Sequence, residues 1–320
     1  MQTRFTLRQL EYLVAVGRLG SVTLAAEQLS VSPPSISHAI AQLEQDFGLP
    51  LFVRKHAQGM AVTQSGRLLL REAARVLEAA RALSNLADSQ KGTVQGELAV
   101  GCLLTFAQIL LPRLRRDYVT AYPDVRFQQF QNHQAGLIDA LREAAIDIAL
   151  TYDLAIPADL EFTRLGSLPP FALLAEHHPL AGQKHLSLAE LAPHPMVLLD
   201  LPLSGAYFLS LFETAGVKPR IAERAQDMAV VQSLVANGFG YSIANIRPPF
   251  ERAPDGKALR FVPLSGPLKP MRMGVLSVRG GTVPLAVSAF VSLCQRHLDE
   301  MIMARISLHA TAKQGIVPLS

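Results

Sequence analysis

Small, uncharged hydrogen-bonding side chains are concentrated in one short stretch, SPPSISHAIAQ, at residues 32 to 42. Hydroxyl, imidazole and amide groups pair well with base edges in the major groove of DNA. The residues of this stretch that we expect to contact DNA are Ser32, Pro33, Pro34, Ser35, Ser37, His38 and Gln42. Their chemistry indicates recognition of a double-stranded nucleic acid.

A second group of polar side chains is basic. Arg54, Lys55 and His56 are consecutive and follow the short apolar segment Leu51–Phe52. Cationic side chains on a small hairpin can contact phosphates or enter a minor groove. We therefore predict DNA contacts from Arg54 and Lys55, with a solvated basic turn as the alternative.

Helical spacing of apolar residues positions the first group. Ile36, Ile40 and Leu43 form one apolar face, so residues 32 to 47 are predicted to form a helix. Ser32 has the hydroxyl that caps a helix N-terminus. A shorter helix with two small alanines precedes it, and the pair has the pattern of a helix-turn-helix. An ordinary buried helix pair is the alternative.

Further elements flank this helix pair. We predict a first helix from Phe5 to Arg18, a hairpin wing from Leu51 to Val62 and a long helix from Thr63 to about Ala87. Thr6 and Thr63 are the predicted caps of the two helices. The segment DSQKGTVQGE, at 88–97, is polar and predicts a hinge.

The long helix carries an apolar seam with alternating spacings of four and three residues. The seam consists of Leu69, Ala73, Val76, Ala80, Leu83 and Ala87. Such a seam favours pairing with a second helix, and thus dimerisation. The edge of a neighbouring domain is the alternative partner.

The chain beyond residue 97 alternates between predicted strands and helices, which indicates an α/β fold with parallel strands. A first unit has predicted strands at 98–101, 125–130 and 146–150 and helices at 105–119 and 136–145. A second unit has predicted strands at 171–174, 196–199 and 241–243 and helices at 204–215 and 227–237. A strand at 271–278 and a last helix at 284–301 return to the first unit. Two lobes joined by two crossings form a cleft suited to a small molecule.

Composition limits the classes of function. The 320 residues carry a net charge of +4, and residues 1 to 92 hold ten Lys and Arg against seven Asp and Glu. The basic excess therefore lies in the segment expected to bind DNA. Cys102 and Cys294 are isolated, so neither a disulfide framework nor a thiolate metal site is expected. Because no apolar run approaches roughly 18 residues and no signal peptide is evident, we expect a cytoplasmic protein without a membrane partner.

Motifs for catalysis are weak in this sequence. Asn237–Gly240 precedes a predicted strand, whereas a dinucleotide fingerprint precedes a helix. Ser204–Gly205 lacks the earlier glycine of a nucleophile elbow. The adjacent His177 and His178 lack metal-ligand spacing on a helix. We therefore predict no enzyme activity, catalytic residue, cofactor or metal. A solute-binding module without DNA function is the alternative class, which the missing signal peptide and the basic front disfavour.

Two sets of segments carry a resemblance to a known family. Residues 5–52, FTLRQLEYLVAVGRLGSVTLAAEQLSVSPPSISHAIAQLEQDFGLPLF, with Arg54 and VTQSG at 62–66, resemble the front of LysR-type transcriptional regulators. GCLLTFAQILLPRL, YPDV, LREAAIDIAL, HPLA and LVANGFGYSIAN resemble the rest of that family. The resemblance covers the chain except for roughly the last fifteen residues.

The resemblance implies an α/β protein with an α-rich N-terminal domain. Residues 1–64 would form a winged helix-turn-helix, 65–92 a linker helix and hinge, and 93–303 an effector domain of the type 2 periplasmic-binding-protein kind. Lobe I would comprise about 97–166 and 271–303, lobe II about 167–270, and 304–320 a tail. Family members bind promoter DNA, dimerise through the linker helix, usually form homotetramers and respond to a small effector. The resemblance implies the same partners here.

Family resemblance also implies which residues line the effector cleft. The corresponding residues are Leu103, Thr105, Phe106, Thr151, Tyr152, Ser204, Tyr207, Asp227 and Asn245. Thr105 begins a predicted helix, whose free amides favour an anion, so a carboxylate effector is expected; a simple helix cap is the alternative. The chain departs from the family pattern at several positions: His38 stands where Arg is frequent, Ala57 and Gln58 where a second basic residue is common in the wing, Leu103 and Leu104 in a turn that is often polar, and Ala145 where Gly is frequent.

Overall fold

The computed structural model describes residues 4–55, 59–91, 93–248, 250–280 and 283–298. Its first three helices are α1 Leu7–Leu19, α2 Val22–Leu29 and α3 Pro33–Phe47. The predicted caps are confirmed: Thr6 forms a capping box with Gln9, and the Ser32 hydroxyl accepts a hydrogen bond from the Ser35 amide. All three helices pack against one another. The predicted helix-turn-helix is therefore present.

A hairpin and a long helix complete the N-terminal unit. Strand β1 Phe52–Lys55 pairs antiparallel with β2 Gly59–Val62, and α4 follows as Gln64–Lys91. The Gly66 amide donates to Thr63 Oγ1 at 2.9 Å, which confirms the predicted cap. Because α4 continues to Lys91, the start of the predicted hinge is helical instead. His56 of the wing lies outside the described residues.

The predicted seam of α4 divides into two parts. Leu69 and Ala73 pack into the core of the N-terminal unit, where α4 lies against α1. Val76 and Leu83 are exposed, Leu83 at 70%. The side chain of Ala87 lies outside the described residues. The first turns of the seam therefore pack within the chain, as the alternative of a neighbouring domain allows, and dimerisation through the rest of the seam stays a prediction.

Beyond α4, strands and helices alternate through two lobes. In chain order they are β3 Gly96–Cys102, α5 Leu104–Ile109, α6 Leu111–Ala121, β4 Val125–Gln131, α7 Gln134–Arg142, β5 Ile148–Tyr152, β6 Leu160–Leu168, β7 Phe171–Ala175, α8 Leu188–Leu191, β8 Pro195–Leu199, α9 Ser204–Thr214, β9 Arg220–Ala225, α10 Met228–Ala236, β10 Ser242–Ala244, β11 Leu259–Pro263, β12 Met271–Val278 and α11 over 285–298. Residues 299–301, the end of the helix predicted at 284–301, lie outside the described residues. The predicted tail, 304–320, also lies outside them.

Each lobe has its own sheet arrangement. The first lobe contains a five-stranded sheet in the order β4-β3-β5-β12-β6. Strands β4, β3 and β5 run parallel, as predicted, while β12 is antiparallel to both of its neighbours. The second lobe contains the three-stranded sheet β10-β7-β11 and the parallel pair β8-β9. The α/β fold class with an α-rich N-terminal domain is thus confirmed.

Several elements differ from the prediction. The helix predicted at 105–119 is divided at Leu110, because Pro112 in the first turn of α6 has no amide hydrogen to continue the preceding helix. Strand β6 has no predicted counterpart, since a bulge opposite Met273 and Gly274 breaks its alternating pattern. Strands β9 and β11 were also absent from the prediction, and β9 is largely exposed.

The apolar cores separate the N-terminal unit from the two lobes. One cluster of buried side chains lies within α1, α2, α3, the wing and the start of α4. Another is continuous through both lobes. Tyr118 of α6 is completely buried in it, with its ring centroid 5.4 Å from that of Phe290 on α11. None of the described helices combines the length and the apolar character that a bilayer crossing requires.

Candidate functional site

The outward face of α3 brings together the polar residues that the sequence singled out. Six of them are exposed, namely Ser32, Pro33, Pro34, Ser35, Ser37 and His38. On the opposite face Ile36 and Leu43 are completely buried. The hydroxyl oxygens of Ser32 and Ser35 lie 2.7 Å apart, and only one of the two protons is needed between them. The first turn of α3 therefore presents an open, uncharged hydrogen-bonding surface.

Gln42 stands further along α3 and is partly buried. Its Nε2 donates to Asp46 Oδ1 at 3.1 Å. Residues near the N-terminus of a recognition helix are the ones that usually reach base edges. Gln42 is consequently placed at the margin of the exposed polar face, with part of its hydrogen-bonding capacity already used.

The wing is attached to the helix pair at two points. Glu44 of α3 accepts a hydrogen bond from the Leu51 amide at 2.7 Å. The Met60 amide of β2 donates to the Gly20 carbonyl oxygen at 2.8 Å, in the turn between α1 and α2. These contacts join the base of the hairpin to α3 and its tip to the turn between α1 and α2. The strand that carries Arg54 and Lys55 is thereby held beside α3.

A substitution at the tip of the wing tests this attachment. Gly59 has φ +82°, and a Cβ there would lie 2.5 Å from the Gly20 carbonyl oxygen. We expect Gly59→Ala to move the wing away from Gly20 and to weaken binding to operator DNA by about tenfold, measured by fluorescence anisotropy. Gly256→Ala is the control, because it has a similar φ of +87° but open space around its Cβ. Wild-type affinity for Gly59→Ala would show that the docked position of the wing is unnecessary.

The carboxyl ends of strands from both lobes open onto one cavity of about 260 Å³ between the lobes. Such edges are where α/β proteins bind ligands. Six of the predicted effector residues line it: Leu103, Thr105, Tyr152, Ser204, Asp227 and Asn245. Residues that are far apart in the sequence therefore meet at one enclosed site.

Three predicted effector residues do not line this cavity. Phe106 and Thr151 have no exposed surface; the Phe106 ring lies 4.9 Å from the Tyr152 ring, and Thr151 Oγ1 donates to Gln134 Oε1 at 3.0 Å. Tyr207 lines a second cavity of about 350 Å³ on another face of α9. In this structure the three side chains support the lining from behind, so the expectation that they form it is corrected.

Four helices begin at the interlobe cavity, which determines its electrostatics. The N-termini of α7 and α10 are capped, by His133 Nδ1 at 3.1 Å from the Gly136 amide and by Asp227 Oδ1 at 2.7 Å from the Ala229 amide. No side chain caps α5 or α9. Neither Lys nor Arg occurs among the described lining residues. Attraction of an anion into the cavity would therefore have to come from helix N-termini rather than from Lys or Arg, and it would act against the carboxylate of Asp227, which is also in the lining.

The sequence interpretation missed much of the polar lining. The additional polar residues are Gln108, Gln131, Asn132, His133, Gln134 and Gln226. Four of them, at 131–134, end or directly follow strand β4, which the sequence predicted at nearly the observed position. The signal that could have identified them is the rule that side chains after parallel strands meet at one edge of a sheet.

The described residues offer neither a cluster of metal ligands nor a reactive thiol. Among the residues that the structure describes, no three His, Cys, Asp or Glu side chains are grouped so as to hold a metal ion. Burial raises the pKa of the Cys102 thiol to about 12 and that of Cys294 to about 12. Both thiols therefore stay protonated and unreactive at neutral pH.

Comparison with known families covers both parts of the chain. Residues 7–67 match the family described as bacterial regulatory helix-turn-helix protein, lysR family. Residues 91–299 match the LysR substrate binding domain. The two matches coincide with the helix-turn-helix unit and with the pair of lobes.

Individual relatives agree with the family matches. The transcriptional activator protein LysR of Escherichia coli (strain K12) is 32% identical over 255 residues, which cover 79% of this chain and 82% of LysR. HinK, a LysR family transcriptional regulator from Pseudomonas aeruginosa, is 32% identical with a TM-score of 0.63, over 92% of this chain and 98% of HinK. CbnR, crystallised with its target DNA, shares the fold, with a TM-score of 0.62 at 23% identity over 91% of this chain and 99% of CbnR. The matched families and relatives are transcriptional regulators and not enzymes. Because the two family matches together span most of the chain, it belongs to the LysR family of DNA-binding transcriptional regulators.

Proposed function

We propose that this regulator controls a promoter in response to a small carboxylate bound between the two lobes. The observation that carries the proposal is the convergence of helix N-termini on one cavity, with the 11-residue helix α9 left without a side-chain cap. Free amides at a helix N-terminus bind anions. Because no Lys or Arg is among the described lining residues, we expect a single negative charge on the effector.

The remaining wall of the cavity suits an apolar body on the same ligand. Its larger apolar side chains are Leu103, Leu104, Leu199, Leu201, Phe208, Met228, Ile246 and Met271. The volume of about 260 Å³ is slightly below the roughly 300 Å³ at which drug-sized ligand pockets begin. A compact organic acid with a short aliphatic chain or one ring fits both the size and the polarity.

For the DNA-binding unit, we propose that α3 reads bases and the wing holds the DNA backbone. Ser35, Ser37 and His38 are exposed on the first turns of α3, where they can enter a major groove. Ser32, Pro33, Pro34 and Gln42 accompany them along the same contact surface. Arg54 and Lys55 on β1 would bind phosphates, which position the protein without reading sequence.

Alanine substitutions separate base reading from phosphate binding. We expect Ser35→Ala and His38→Ala each to reduce the free energy of binding to the operator by about 1 to 3 kcal/mol, and to reduce binding to random DNA much less. Gln45→Ala is the control, since Gln45 is exposed near the far end of the same helix. Binding is measured by fluorescence anisotropy on both DNAs at one salt concentration. Equal losses on the operator and on random DNA would assign these side chains to phosphates.

For the assembly, we propose a homodimer formed through exposed apolar residues of α4 that lie outside the N-terminal core, and a homotetramer on DNA. Val76 and Leu83 supply exposed apolar surface there. The proposed domains are 1–64, 65–92 and 93–303, with a tail at 304–320. Effector binding would close the lobes, change how the dimers associate and so alter the bend of the DNA. A regulator of this kind works in the cytoplasm, where the promoter is.

Footprinting with and without organic acids tests the whole proposal. The purified full-length protein is applied to the DNA that flanks its own gene, across a salt series. Protection of several tens of base pairs, with a hypersensitive centre that changes when an acid is added, is the expected result. A protein that binds acids but protects no specific DNA would be the solute-binding alternative. A footprint that no saturating acid alters would refute the proposed coupling.

A further inference from the structure

Asn245 lies at a junction between the interlobe cavity and both crossings between the lobes. It follows β10, lines the cavity and is only 4% exposed. Its Nδ2 donates to the Leu168 carbonyl oxygen at 2.8 Å and to Tyr207 Oη at 3.2 Å. Leu168 ends β6 immediately before the first crossing. Tyr207 Oη donates in turn to the carbonyl oxygen of Lys269, in the second crossing, at 2.9 Å.

These contacts fix the orientation of the Asn245 amide. A carbonyl oxygen only accepts, so the atom 2.8 Å from the Leu168 carbonyl must be the amide nitrogen. Tyr207 uses its single proton for Lys269, so it accepts the other Nδ2 proton. Both donors of Asn245 are thereby used within the protein. Its remaining group, Oδ1, is an acceptor.

The Oδ1 atom of Asn245 is buried and has no hydrogen-bond partner among the described residues. A buried amide oxygen without a donor is unfavourable, because the oxygen has lost its hydrogen bonds to water and gained none in return. Gln134 lines the same cavity and is 5% exposed, yet its Oε1 accepts from Thr151 and its Nε2 donates to the Leu154 carbonyl. Two buried side-chain amides therefore face one cavity, and only that of Asn245 has an unused oxygen.

We infer that Asn245 Oδ1 accepts a hydrogen bond from the effector, which must then carry an O–H or N–H donor in addition to its carboxylate. The inference rests on the proposed function and narrows the ligand to hydroxy, amino or amide-bearing organic acids. Asn245 also contacts Leu168 directly and Lys269 through Tyr207. A hydrogen bond from the ligand to Asn245 would therefore connect the ligand to both crossings between the lobes. Because Tyr207 forms the link from Asn245 to Lys269, it is a positioning residue for lobe closure.

Matched pairs of acids test the inference on the full-length protein. The probes are benzoate against 2-, 3- and 4-hydroxybenzoate, propionate against lactate and alanine, and butyrate against 3-hydroxybutyrate. Calorimetric titration is expected to show at least one donor-bearing acid that binds about tenfold or more tightly than its donor-free partner. The wild-type protein alone gives this ratio, so the test does not depend on the folding of a variant.

Two variants then show which residue recognises the donor on the acid and which residue transmits binding to the DNA-binding unit. Asn245→Leu should bring the ratio within a pair close to one. Tyr207→Phe keeps the Asn245 oxygen, so it should retain the ratio but lose most of the change in DNA footprint that the acid produces. Ser210→Ala, in the second cavity, is the control for substitutions on α9. Melting curves confirm that each variant is folded.

The outcomes distinguish this inference from the function on which it rests. If donor-free acids bind as tightly as their partners, or if Asn245→Leu keeps the ratio, the role of Asn245 is refuted and the carboxylate proposal stands. If none of the acids binds, the carboxylate proposal fails and the inference fails with it. If Tyr207→Phe leaves the footprint response intact, the link to the crossings is wrong while the ligand contact remains.

Discussion

Leu43→Ala is expected to weaken specific DNA binding strongly while the interlobe cavity keeps its ligand affinity. Leu43 anchors the recognition helix: it is completely buried in the N-terminal core, together with Leu13 and Leu51. Truncation of such a leucine removes about 2 to 5 kcal/mol of unfolding free energy. The loss is large relative to the stability of a small unit, which is typically about 5 to 15 kcal/mol for a whole domain.

Calorimetry and DNA titration together check this result. We expect the transition of the N-terminal unit to move to lower temperature, while that of the lobes is unchanged because they have a separate core. Gln45→Ala, on the exposed side of the same helix, should change stability by no more than about 0.5 kcal/mol. Unchanged operator affinity for Leu43→Ala would mean that the buried face of α3 does not hold the reading face in position.

Tyr118→Ala is expected to have the second large effect, this time on lobe I. The Tyr118 ring is completely buried and contacts Phe127 and Phe290, with centroid distances of 5.9 and 5.4 Å. Its hydroxyl donates to the Ala286 carbonyl oxygen at 2.8 Å. Removal of the ring should lower the free energy of unfolding by about 3 to 5 kcal/mol, because it removes the contact between α6 and α11 and leaves a cavity.

Tyr118→Phe separates the two contributions of this side chain. This substitution keeps the ring and loses only the hydrogen bond to Ala286. We therefore expect the free energy of unfolding to fall by about 1 kcal/mol. Urea unfolding of both variants gives the comparison, and the transition of the DNA-binding unit should not move. If Tyr118→Phe is as damaging as Tyr118→Ala, the hydrogen bond rather than aromatic packing attaches α11.

Local signals were sufficient to predict the N-terminal unit. The caps at Thr6, Ser32 and Thr63 need only neighbouring residues, and each is formed as predicted. The apolar spacing of α3 likewise identifies its buried face without knowledge of its partner. The same spacing on α4 could not show which partner covers it, because Leu69 and a dimerisation residue have the same polarity. The sequence alone therefore could not show which part of the seam packs in the N-terminal core and which part is exposed.

The effector cavity depends on contacts between distant parts of the chain, which limits prediction from sequence. Motifs shared with the family implied Leu103, Ser204 and Asp227, and all three line the cavity. They do not show that Phe106 turns into the core. They also cannot show that Asn245 meets Tyr207, which is 38 residues away in the chain. Side-chain partners of this kind become visible only once both lobes are assembled.

The anchoring of α4 makes it a lever arm. Its first turns belong to the N-terminal core, so the reading face of α3 follows the helix axis as one rigid piece. The helix has 28 residues, or about 42 Å at the usual rise per residue. A rotation of about 5° at the far end would therefore displace the DNA-binding unit by about 4 Å, close to the roughly 3.4 Å between successive base pairs. In the proposed dimer, rearrangements of the lobes too small to be seen as domain motion would shift each α3 helix by about one base step.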